Sequence, residues 1–237
     1  MRYYRVTDHE ASTEFVVRDG STVYDIGEVC GLNSFRDLAQ AACVSKDSMD
    51  TLTRRHIDEA PQLSVDRVEN DCLRPIIPDE VWAAGVTYEI SEQAREGESG
   101  MPEVYLDVYE GDRPELFFKA TPSRTVGPGE AIGVREDSDW NVPEPELGLV
   151  LFAGEIVGYT VGNDVSSRAI EGDNPLYLPQ AKVYDRSCAI GPCVASPESV
   201  SDPSSLEITM TIVRDNATVY TGSTSTAKIS TSQSIVS

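Results

Sequence analysis

The sequence predicts an α+β protein with a β-roll or barrel-like core, preceded by a small mixed N-terminal domain. Three observations lead there. Beyond Cys72, strand-like segments outnumber helix-like ones and do not alternate with them, which argues against a doubly wound sheet. Gly and Pro turns such as "VGPGE" separate those segments. The residues before Cys72 have a different mix, and a turn-rich passage joins the two parts.

In chain order, "MRYYRV" and "TEFVVR" predict two short strands, and "SFRDLAQAA" and "SKDSMDTLTRRHI" predict helices, the second opening on Ser45. The passage "DEAPQLSVDRVENDCLRPIIPDE" reads as turns, which places a boundary near Cys72 between a module over 1–72 and a catalytic domain over 73–237. "VWAAGV", "ELFFKA", "AIGVRE", "LGLVLF", "EIVGYTVG" and "LEITMTIVRD" then predict strands, and "TYEISEQAREG" and "VSSRAIEG" short helices. The final "STSTAKISTSQSIVS" reads as the start of a helix cut short, so a C-terminally incomplete domain is expected.

Asp and Glu number 40 against 19 Lys and Arg, a net charge of -21 spread along the chain. Such a surface repels nucleic acid and anionic membrane, so neither is an expected partner. Only four of the basic residues are Lys, a balance that looks halophilic. Five cysteines without CxxC spacing support neither a disulfide framework nor a zinc site. With no apolar signal segment and no run of about 20 apolar residues, a soluble cytoplasmic protein is expected.

In "WNVPEPELGLVLF", Glu144 and Glu146 lie two residues apart, so on a strand their carboxylates share a face and repel. Such a pair is tolerated if one is protonated, if a basic side chain lies opposite, or if a metal ion sits between them; it could also be a solvated face of an acidic protein. Ala153 and Gly154 join "LGLVLF" to "EIVGYTVG" as a two-residue hairpin. Pairing Phe152 with Glu155 sets Glu146 opposite Val161 and Glu144 opposite Asn163, with Asp164 beside them. Strict alternation would put Asp164 on the far face, so a bend is expected there. Asp164 could equally be a plain cap of a helix through Arg168 and Glu171, with Arg168 able to pair with it.

An oxygen-only ligand set of this kind suits Mg²⁺, with Ca²⁺ or Mn²⁺ as substitutes. Lys182 in "LPQAKVYD" is retained where the chain otherwise prefers Arg. A buried Lys can lose its proton and act as a base, whereas Arg cannot. Lys119 in "LFFKATPS" invites the same reading or could neutralise the carboxylates.

"IIPDEVWAAGVTYEIS", "ELFFKATPSRTVGPGE", "VPEPELGLVL", "VGYTVGNDVSSR" and "LPQAKVYDRSCAIGP", in this order, resemble the fumarylacetoacetate hydrolase superfamily from about Ile76 to Pro192. The resemblance implies a β-roll domain whose divalent cation is held by Glu144, Glu146 and Asp164, with Lys182 as the motif lysine. One departure matters. Where hydrolases of the family have Gly-x-Asn-Tyr followed three residues later by a water-activating His, this chain has "GVTYEIS", with Thr87 for the Asn and Ser91 for the His.

The chain therefore resembles the sugar-acid branch of the superfamily, which implies metal-dependent dehydration of a 2-keto-3-deoxy-pentonate to 2,5-dioxopentanoate. On that reading Lys182 is the catalytic base, Arg168 holds Asp164, and Tyr88, Ser91, Lys119 and Glu171 contact the substrate. A homo-oligomer, dimer or tetramer, acting on a small 2-keto acid is expected. The rival activities are acylpyruvate hydrolysis or oxaloacetate decarboxylation, and the non-enzymatic rival is a calcium-binding structural module.

Overall fold

In the computed structural model, residues 1–7, 11–87, 107 and 113–229 are described. The two predicted N-terminal strands form as β1 (Arg2–Thr7) and β2 (Thr13–Asp19), followed by β3 (Thr22–Asp25) and the short β4 (Gln62–Leu63). Side chains of β1 and β2 are apolar on both faces because both faces are covered. Tyr3, Phe15 and Val17 pack with Phe35 and Leu38 of the helix Phe35–Ser45, and with Val150 and Val194. Tyr4, Val6 and Val16 pack on the other side with Val23 and Val68. Ser34 caps the helix Phe35–Ser45 by accepting from Asp37 N. The second predicted helix begins later than Ser45, at Met49, with Ser48 accepting from Thr51 N.

The rest of the chain contributes β5 (Val81–Gly85), β6 (Glu115–Ala120), β7 (Thr125–Val126), β8 (Asn141–Val142), β9 (Pro145–Phe152), β10 (Glu155–Asp164), β11 (Ser166–Ser167), β12 (Cys188–Ala195), β13 (Glu207–Arg214) and β14 (Ala217–Ser225). One sheet has the order β4-β3-β2-β1-β12-β10-β9, with β7 parallel to β12. It crosses the sequence boundary near Cys72, because β1 pairs antiparallel with β12. Three two-stranded sheets, β5–β6, β8–β11 and β13–β14, accompany it.

The segment "AIGVRE" is not a strand. Gly133 N donates to Arg186 O at 2.9 Å and Arg186 Nε donates to Ala131 O at 2.6 Å, so this stretch pairs with a loop, and Val134 stays exposed. β3, β12 and β14 carried no sequence expectation; "CAIGPCVA" contains a Gly-Pro pair that reads as punctuation. The predicted helix over "TYEISEQAREG" lies outside the described residues apart from Thr87; of the expected C-terminal helix start, residues 223–225 instead end β14 and Thr226–Lys228 form a single 3-10 turn, while 230–237 lie outside the described residues. Among the described residues, no helix is long and apolar enough to cross a membrane.

The β9–β10 hairpin positions the site. Ala153 and Gly154 form its two-residue turn, both at positive φ (52° and 87°), as a tight hairpin of this hand requires. Phe152 pairs with Glu155 and Leu151 with Ile156 as expected, but a bulge at Val157 then shifts the register by one. Glu146 therefore faces Gly162 rather than Val161, and Pro145 faces Asn163. The shift continues past the ladder, where Asp164 N donates to Glu144 O at 2.9 Å. Asp164 is thus opposite Glu144 and on its face, and the bend expected from the sequence is replaced by the bulge.

Candidate active site

Glu144 lies between Pro143 and Pro145, whose rings keep the chain extended and remove two backbone donors. Its own N–H donates to Asn163 Oδ1 at 3.0 Å, so both strands fix its backbone. Asp164 ends β10 and does not cap a helix; Ser167 caps the helix Arg168–Asp173, accepting from Ile170 N. That helix aims Arg168 and Glu171 at the hairpin end. Lys182 is the last residue of the short helix Leu178–Lys182, and Lys119 projects from β6.

These groups form a closed ring of alternating charge. Lys182 Nζ is 2.6 Å from Glu144 Oε2, Arg168 Nη2 is 2.6 Å from Glu144 Oε1, Arg168 Nη1 is 2.8 Å from Glu171 Oε2, and Glu171 Oε1 is 3.6 Å from Lys182 Nζ. Lys182 also reaches Asp164 Oδ2 at 3.2 Å, and Ser166 Oγ donates to Glu144 Oε2 at 2.9 Å. The expected Arg168–Asp164 pair is not made: the guanidinium serves Glu144 and Glu171 instead, because the helix begins three residues later than a cap at Asp164 would require.

Lys119 is 1% exposed. Its Nζ lies 2.6 Å from Asp164 Oδ1, donates to Val165 O at 2.9 Å and donates to the carbonyl of Lys182. Two donors thus go to backbone carbonyls and the charge faces the Asp164 carboxylate. Tyr88 and Ser91 lie outside the described residues. Sequence reasoning missed Ser166 and Asn163, although "GNDVSSR" places both beside Asp164.

Burial opposes the charge of Lys182, but Glu144, Asp164 and Glu171 together outweigh it and hold its proton more tightly than usual. Burial likewise lowers Lys119, against the attraction of Asp164. Glu146 behaves differently. Burial first, then the charges of Asp164 and Glu144, push its carboxyl up to about 8. Among the described residues, that carboxyl takes no hydrogen bond or ion pair from any side chain.

Three hard oxygen donors are the chemistry that Mg²⁺ or Ca²⁺ takes. The donor set fits such an ion, because among the described residues Glu146 makes no ion pair and Asp164 Oδ1, though ion-paired, receives no directed hydrogen bond. As placed, the carboxylates do not close around one point among the described residues; lysine ammonium groups take the oxygens of Glu144 and Asp164.

The fold and site define a β-rich protein with a buried centre of carboxylates and lysines at the end of a bulged hairpin. The chain belongs to the fumarylacetoacetate hydrolase family, whose C-terminal sequence profile matches residues 80–237. It is 59% identical over 210 residues to the "probable 2-keto-3-deoxyxylonate dehydratase" of Haloferax volcanii, covering 88% of this chain and 73% of that protein. It is 37% identical over 235 residues to the 2-dehydro-3-deoxy-D-arabinonate dehydratase of Saccharolobus solfataricus, covering 97% of this chain and 77% of the relative. Its fold is similar to a solved 2-keto-3-deoxy-D-arabinonate dehydratase complexed with magnesium and 2,5-dioxopentanoate, with TM-score 0.79, 33% identity, and coverage of 99% of this chain and 79% of that one.

Proposed function

We propose that the protein is a magnesium-dependent hydro-lyase that converts a 2-keto-3-deoxy-pentonate to 2,5-dioxopentanoate in oxidative pentose degradation. Its similarity to two dehydratases, and to a dehydratase structure solved with magnesium and that product, supports this reading over hydrolysis, decarboxylation or a structural calcium site. The observation in this chain that carries it is the carboxyl of Glu146, which takes no hydrogen bond or ion pair from the side chains of the described residues, beside Glu144 and Asp164, with Lys182 2.6 Å from Glu144. Glu144, Glu146 and Asp164 would hold the ion. Bound there, Mg²⁺ supplies positive charge opposite the carboxylate and keto oxygens of a 2-keto acid.

The charge balance agrees. Lys119, Arg168 and Lys182 face Glu144, Glu146, Asp164 and Glu171, which leaves one negative charge when all are ionised. A dication and one monoanionic substrate bring the centre to neutrality. Lys182 is the proposed base for the C3 proton. Among three carboxylates it holds its own proton, so it would have to release that proton to solvent before it could take the C3 proton, a loss favoured if the cation engages Glu144 and Asp164. Elimination then needs no water-activating imidazole. Among the described residues the only histidine is His56, exposed after the helix Met49–Arg54. Tyr88 and Ser91 are proposed to contact the sugar hydroxyls.

The division near Cys72 is a proposal of the same kind: every charged group of the ring comes from residues after it. A cytoplasmic homo-oligomer is also proposed, to be checked by light scattering on the purified protein. The test of function is a panel of 2-keto-3-deoxy sugar acids and acylpyruvates assayed with Mg²⁺. Faster cleavage of acylpyruvates than dehydration of the pentonates would overturn the reading.

A further inference from the structure

Glu171 was expected to meet sugar hydroxyls, yet it is 2% exposed and both its oxygens face cations of the protein. Three carboxylates stand around Lys182 Nζ, Glu144 at 2.6 Å, Asp164 at 3.2 Å and Glu171 at 3.6 Å. The first two belong to the set proposed to hold the metal. Glu171 does not, and it comes from a different element, the helix Arg168–Asp173, where it pairs with Arg168 one turn away at 2.8 Å. Arg168 is shared in the same way between Glu144 and Glu171.

Were a dication held by Glu144 and Asp164, then among the described residues two contacts of Lys182 and the Glu144 pair of Arg168 would weaken. Among the described residues, Glu171 is then the carboxylate that still faces both. Lys182 is 3% exposed, so water is a poor substitute for that anchor, and an unanchored lysine regains several rotamers. We propose that Glu171 is a positioning residue that holds Lys182 and Arg168 in place once the metal ligands are engaged. This rests on the magnesium reading of the site. It assigns Glu171 neither to the metal nor to the substrate.

The variant E171Q keeps the shape and removes the charge, and E144Q serves as the metal-site control. Magnesium affinity is measured by titration calorimetry, kcat and KM with 2-keto-3-deoxy-pentonate, and metal-free thermal unfolding in a double-mutant cycle with K182M. E171Q is expected to bind Mg²⁺ and substrate within about threefold of the parent while kcat falls about tenfold or more, because misplacing a reacting group acts on the chemical step. E144Q is expected to lose magnesium binding. In the cycle, the losses in Tm for E171Q and K182M should be less than additive. If E171Q does not fold, E171D, which keeps the charge but withdraws it by one methylene, is expected to show the same split between kcat and magnesium affinity.

A folded Glu171 variant with kcat within about twofold of the parent overturns this inference alone, since a purely structural role leaves turnover per folded molecule unchanged. Loss of Mg²⁺ affinity in E171Q as large as in E144Q overturns it too, by placing Glu171 among the ligands. Failure of the parent protein to bind Mg²⁺ would overturn the magnesium reading and this inference with it.

Discussion

The raised carboxyl of Glu146 makes magnesium binding proton-linked. In the metal-free protein it sits at about 8, against 4.5 for an ordinary glutamate. At roughly 1.4 kcal/mol per unit, ionising it in the folded state costs on the order of 5 kcal/mol. The folded protein therefore holds a proton that the unfolded chain releases above 4.5. Its contribution to stability is fully present below that value and is lost as pH rises toward 8.

Magnesium should reverse the trend. A ligand that binds only the ionised carboxylate must expel the proton, so affinity should rise about tenfold per pH unit from 6 to 8 and then level off. At pH 7, calorimetry in two buffers of different ionisation enthalpy should show about 0.9 proton released per ion bound. The rise in Tm on adding Mg²⁺ should be larger at pH 8.5 than at pH 6. E146Q should lose both the magnesium affinity and its pH slope. Affinity that is flat from pH 6 to 9 with no proton release, or a slope that persists in E146Q, would refute the reasoning.

Lys182→Met should abolish dehydration but leave magnesium binding largely intact, measured by turnover and calorimetry on the same preparation. Gly158→Ala should destabilise the protein by about 2 kcal/mol in urea unfolding, because its Cβ would collide with Val194 Cγ1 and lie 2.9 Å from Ala195 O at the bulge that sets the hairpin register. Asp50→Ala should cost about 3 kcal/mol in the same assay, since Tyr3 OH at 2.8 Å and Ser196 Oγ at 2.9 Å would lose a buried acceptor. Ser91→His should not raise turnover of the sugar acid in a steady-state assay, because a base for water is not what elimination lacks.

Much of this protein is local in origin. Alternation and turn residues determine β1, β2, β5, β6, β13 and the β9–β10 hairpin, because those patterns act over a few residues. The pairing of Phe152 with Glu155 follows from a two-residue turn. Residue type alone singled out Glu144, Glu146, Asp164 and Lys182, since carboxylates at strand spacing and a rare lysine narrow the possible chemistry.

The tertiary structure decided the rest. Whether Asp164 shares a face with Glu144 depends on the single extra residue at Val157, and beside it Gly158 packs so close to Val194 of β12 that there is no room for a side chain, a contact between segments far apart in sequence. The joining of the N-terminal strands to the later ones through β1 and β12 spans nearly two hundred residues, beyond the reach of any local pattern. Arg168 was legible as a cation near Asp164. Its pair with Glu171 is an i,i+3 contact within one helix, which spacing allows, but its commitment to Glu144 was not legible, because a pair between separate elements is settled by which oxygens converge after folding.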